Sequence, residues 1–80
     1  MTIEHSAKVL SSAISQNGKF LATGDTAGIV KLLSIPEGKE LSVIEADSHN
    51  YGVGCIVFSP DAKTLALNAD KIELWEISNL

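Results

Sequence analysis

Eighty residues confine this chain to one small domain, and a domain of that size buries only about 60% of the surface its unfolded form exposes. An apolar content of 45% excludes a disordered chain, and a net charge of −4, with six lysines, no arginine and ten acidic residues, leaves no electrostatic footprint for nucleic acid and little for an anionic membrane. The single cysteine excludes an intrachain disulfide and a multi-cysteine zinc site; with no signal-peptide pattern and no apolar run near about 18 residues, a cytoplasmic protein is expected.

The chain reads as a series of short strands. Thr2 to His5 is followed by Val9 to Ser15, and Gln16-Asn17-Gly18 turns the chain into Phe20 to Gly24. Gly24-Asp25-Thr26-Ala27-Gly28 leads to Ile29 to Ile35, and Glu37-Gly38-Lys39 to Glu40 to Glu45. Val53 to Ser59 is rich in β-branched and aromatic side chains, and Pro60-Asp61 stops it with the residues of a type I turn. Thr64 to Leu67 and the alternating Lys71 to Ile77 complete an all-β chain.

Two halves of this series repeat. Ser15-Gln16-Asn17-Gly18-Lys19-Phe20-Leu21-Ala22 recurs 44 residues later as Ser59-Pro60-Asp61-Ala62-Lys63-Thr64-Leu65-Ala66, and the same offset pairs Val9 with Val53 and His5 with His49. Beyond the next turn the offset is 42, so Val30-Lys31-Leu32-Leu33 meets Ile72-Glu73-Leu74-Trp75.

The period, the Phe-Ser-Pro-Asp-x-Lys turn, the following Leu-Ala, the Ile-Glu-Leu-Trp strand and the histidine before each copy together resemble the WD-repeat β-propeller family. The resemblance implies four-stranded antiparallel blades, strands a to d outward from a channel, and a strand phase of d, abcd, abc. Residues 1–6 then form an outer strand given to a neighbouring blade, 7–49 form blade 1, and 50–80 form blade 2 without its outer strand. Leu33 replaces the family's tryptophan in the first copy, Ala27 stands before Gly28, and Leu67 replaces Thr23. The family's buried histidine, hydroxyl, aspartate and tryptophan network is therefore expected to be incomplete in both copies.

Two blades cannot curve far enough to close a ring, since propellers carry about 4 to 8. The phase therefore leads to a homo-oligomeric ring completed by exchange of the N-terminal strand, a tetramer in preference to a trimer, with Thr2, Ile3, Glu4, Ile72, Leu74 and Trp75 at the interface. A segment of a longer repeat protein is the alternative.

Candidates for chemistry are few, and a non-catalytic protein without metal or cofactor is expected. His5 and His49 read as histidines bonded to a turn or strand backbone of their own blades, Cys55 as a small buried thiol, and Trp75, Phe20 and Phe58 as core or blade-to-blade packing. Gly24 to Gly28 lacks the Gly-Lys-Ser/Thr ending of a phosphate loop and joins two strands. In the family the d–a loops and b–c turns share one end of the ring, which points to Lys8, Asp25, Thr26, His49, Asn50 and Tyr51 as contacts for a peptide or protein partner, Tyr51 foremost.

Overall fold

The computed structural model describes residues 2–46 and 52–79. Among these residues seven strands form two antiparallel sheets. β1 (Val9–Ile14), β2 (Phe20–Asp25), β3 (Ile29–Ser34) and β4 (Glu40–Glu45) lie in that order in the first. β5 (Cys55–Phe58), β6 (Thr64–Asn68) and β7 (Ile72–Glu76) form the second, and a short 3₁₀ turn, Ile77–Asn79, follows. These are blade 1 with four strands and blade 2 with three. The expected strand Thr2–His5 makes no ladder. An extended segment becomes a strand only against a partner edge, and none of the seven strands pairs with it.

The repeat is visible in the turns. In the β1–β2 turn the Ser15 hydroxyl donates to Asn17 Oδ1 at 2.6 Å and accepts from the Phe20 N–H at 3.0 Å, while Asn17 Oδ1 also takes the Lys19 N–H. The β5–β6 turn repeats every bond with Ser59, Asp61, Thr64 and Lys63 at the same lengths. Gly18 at φ 73° and Ala62 at φ 60° occupy the same left-handed position.

Alternation divides each sheet into two faces. Ala13, Ala22, Val30 and Ile44 lie across β1 to β4 on one face of blade 1, with Phe20 and Leu32 alongside them. They pack against Ile56, Leu65, Leu67, Phe58 and Trp75 of blade 2, joined by Val53, to make one core between the blades. The Phe20 and Phe58 rings stack with centroids 6.5 Å apart. Eight fully or nearly fully buried apolar side chains thus belong to the junction and not to either sheet alone, as expected when each sheet must bury one face against another layer.

The junction also explains where Cys55 lies. It was expected to be buried, but it is exposed. Its neighbour Ile56 points into the junction, and the strand period of two turns Cys55 to the opposite face.

Candidate functional site

The loop end of blade 1 is organised by Asp25, the last residue of β2. Its Oδ1 accepts the N–H groups of Ala27 at 2.9 Å and Ile29 at 3.0 Å, closing the turn into β3. Its Oδ2 lies 2.8 Å from His5 Nδ1, and His5 Nε2 lies 2.6 Å from Thr23 Oγ1. A carboxylate can only accept, so Nδ1 carries the proton; Nε2 accepts from the Thr23 hydroxyl in the neutral ring and donates to its oxygen in the charged one. The His5 and Asp25 side chains are 0% and 1% exposed. Burial opposes the aspartate charge, but the Ile29 N–H, the His5 ring and the Ala27 N–H outweigh it and hold the carboxyl below the usual aspartate value.

This arrangement corrects two expectations. Asp25, expected as a partner contact, is withdrawn into the blade. The network lacks its tryptophan in blade 1, as expected from Leu33, but its histidine, hydroxyl and aspartate are joined there, because the aspartate is Asp25, two residues before Ala27. His5 bonds side chains in place of the expected backbone groups.

The remaining candidates divide. Lys8 and Thr26 are exposed and adjacent, the Thr26 N–H donating to the Lys8 carbonyl at 2.9 Å. His49, Asn50 and Tyr51 lie outside the described residues. At the start of blade 2 the Val53 N–H donates to the Asp25 carbonyl at 3.0 Å, and the Val53 carbonyl accepts the Ser11 hydroxyl at 2.7 Å. Gly52, at φ 76°, passes so close to the Asp25 carbonyl and Thr26 that any side chain would overlap them. The β2–β3 turn and the connection to blade 2 therefore hold each other.

The second constellation is the pair of outward faces. On blade 2, Cys55, Val57, Ala66, Asn68, Ile72 and Leu74 share the face turned away from blade 1, with Val57 at 55%, Ile72 at 67% and Leu74 at 71% exposure. A groove of about 200 Å³ runs along it, lined by Cys55, Val57, Ala66, Leu67, Asn68 and Ile72. On blade 1 the outward face carries Ile14, Leu21, Thr23, Lys31, Leu33 and Val43. Leu33 is buried although Ile14 and Val43 are open. Thr2, Ile3 and Glu4 lie beside it, lining a cavity with Lys31, Leu33, Gly38 and Glu40, and Lys31 Nζ donates to the Glu4 carbonyl at 2.6 Å. Of the expected interface residues, Ile72 and Leu74 lie on an open face and Thr2 to Glu4 lie over the other. Trp75 does not: it packs against the junction, its Nε1 donating to Glu73 at 3.1 Å.

Among the described residues no group of three His, Cys, Asp or Glu side chains is placed to hold a metal ion, and no helix is long and apolar enough to cross a membrane. What the geometry offers is surface: a fixed loop end and two apolar sheet faces.

The fold is that of two consecutive β-propeller blades of the WD40 type. Residues 1–33 match the family model of the WD domain, G-beta repeat. Periodic tryptophan protein 2 of Arabidopsis thaliana is 28% identical over 72 residues, covering 88% of this chain and 8% of that protein. Among solved structures, U3-55K superposes with a TM-score of 0.80 and the WD40 repeats of RRP9 with 0.81, each at 22% identity and covering 96% of this chain and 25% of theirs. The resemblance to WD-repeat propellers carried by the sequence motifs is thus borne out, and the chain spans a quarter or less of the relatives it matches.

Proposed function

We propose that this chain is a non-catalytic protein-interaction scaffold: a pair of blades completed into a propeller by further blades on its two open faces, with the loop end left to bind a peptide or protein. One observation carries the reading. Val57, Ala66, Ile72 and Leu74, on the open face of blade 2, are the repeat equivalents of Ala13, Ala22, Val30 and Leu32, which blade 1 packs into the junction. The exposed face is thus the second copy of a face that this molecule already uses to hold a blade. A large exposed apolar surface of this kind marks an interaction site.

Among the described residues no fourth strand lies on the outer edge of β7, and Thr2–Glu4, which lies beside Lys31 and Leu33 of β3, joins no ladder. The blades that complete the ring have two sources. Second copies of the chain, exchanging Thr2–His5 onto a neighbour's β7, are one, giving a trimer of six or a tetramer of eight blades. Further blades of the same polypeptide are the other, and the small share of the relatives that the chain covers supports it. Repeated loop ends held at fixed spacing would then engage a partner at several points, with Lys8 and Thr26 on blade 1 as contacts together with His49, Asn50 and Tyr51.

Light-scattering mass measured across a range of protein concentrations tests the docking faces. Concentration-dependent association that Leu74→Asp abolishes supports the reading, and association indifferent to Leu74→Asp refutes it. Deleting residues 1–5 asks separately whether the N-terminal segment is exchanged.

A further inference from the structure

Resting on that reading of blade 2, the geometry points to a face that selects its neighbour: it disfavours a second copy of this chain and favours a different propeller blade, one with glycine where this chain has Val9 and Val53. The junction between blades 1 and 2 shows what a fitting neighbour requires. Val53 presses against Gly24 so closely that a Cβ on Gly24 would lie 2.9 Å from the Val53 Cβ and 2.9 Å from Ser11 Oγ. Contact at that distance between two Cβ atoms is absent from packed proteins, so the approach exists only because residue 24 has no side chain.

Blade 2 does not repeat this provision. The residue equivalent to Gly24 is Asn68, and its ladder partners Cys55 and Ile72 place it on the open face. A second copy docking in the geometry of the internal junction would bring Val9, the equivalent of Val53, onto Asn68. Two Cβ atoms and the Asn68 amide would then share a space that holds one valine. The fastenings are also weaker. Cys55 stands where Ser11 donates to the Val53 carbonyl, and a thiol is the poorer donor. The stack of Phe20 on Phe58 becomes Thr64 against Ile14. Shape and polar contacts change together in the direction that disfavours the chain's own blade 1, whereas a blade with glycine at that position leaves room for Asn68. Building a clash against the wrong partner is an ordinary route to specificity.

Sedimentation velocity on the 80-residue chain tests this, with circular dichroism verifying that each variant keeps its fold. Asn68→Gly and Val9→Gly should each strengthen head-to-tail self-association by about tenfold or more. The double variant should gain little beyond either, because both relieve one contact. Leu74→Asp added to Asn68→Gly should abolish the gain. Self-association equal in the unaltered chain and in both glycine variants overturns the inference, as does a gain that survives Leu74→Asp. If Leu74→Asp weakens the unaltered chain's association while Asn68→Gly leaves it unchanged, the docking face stands and the selection by Asn68 falls; if neither substitution matters, both fall.

Discussion

Asp25 is the residue on which the loop end of blade 1 depends, because one carboxylate serves the Ala27 and Ile29 N–H groups and the His5 ring. Asp25→Ala strands those donors in a site closed to water, and a loss of about 2–4 kcal/mol in urea unfolding is expected. The same contacts fix the sign of an acid effect. The folded carboxyl titrates below the ordinary aspartate value of 3.8, so its stabilisation is complete above that pH and is lost as pH falls below 3.8 through the depressed folded value. An Asp25→Asn variant should lose less stability between pH 5 and pH 3 than the unaltered chain, as followed by thermal melts at each pH. Gly52 is the other sensitive position. Its left-handed φ and its approach to the Asp25 carbonyl mean that Gly52→Ala should cost about 1–3 kcal/mol, measured in the same way.

At the scale of elements, the two serine turns are equivalent in bonding and unequal in burial. Ser15 is buried and Ser59 half-buried, so Ser15→Ala should cost about 1–2 kcal/mol and Ser59→Ala less, since water can serve the exposed turn. The N-terminal segment is an element defined by where it lies and not by a ladder. Ile3 and Glu4 lie beside Leu33 and Lys31 on blade 1, and by sequence they match Ile44 and Glu45 of β4, of which Ile44 is packed into the junction over blade 2. Ile3→Asp should therefore open Leu33 to solvent and speed hydrogen exchange in β3, while leaving the rates in β6 and β7 unchanged.

For the whole molecule, the core lies between the sheets, and the energetic consequences follow from which face a residue takes. Neighbours on β7 have opposite expectations. Trp75→Ala removes a half-buried ring from the junction and should cost about 2–4 kcal/mol. Leu74→Lys alters a side chain that is 71% exposed and should leave the unfolding midpoint within about 0.5 kcal/mol while reducing binding of a hydrophobic dye. A chain in which both substitutions are equally damaging would contradict the assignment of faces.

The strands of the two sheets are legible in the sequence, though Thr2–His5, expected as a strand, joins no ladder; alternation and turn chemistry are local, and the β1–β2 and β5–β6 turns carry their serine, Asn or Asp, and lysine at fixed spacing whatever surrounds them. The blade repeat was legible for the same reason, being one local pattern written twice. The His5–Thr23–Asp25 network was not, since it exists once. Leu67 and Ala69 stand at the places of Thr23 and Asp25 in the second copy, so repetition could not reveal it, and Asp25 in a Gly-flanked turn had every mark of an exposed contact. Only the folded chain brings His5 back across 20 residues to that carboxylate. It also decided that Cys55 faces outward, that Trp75 faces inward, and that Gly24 gives Val53 its room while Asn68 gives none. These are facts about what lies against each face, and a period of two along a strand fixes that a residue has a face without fixing what covers it.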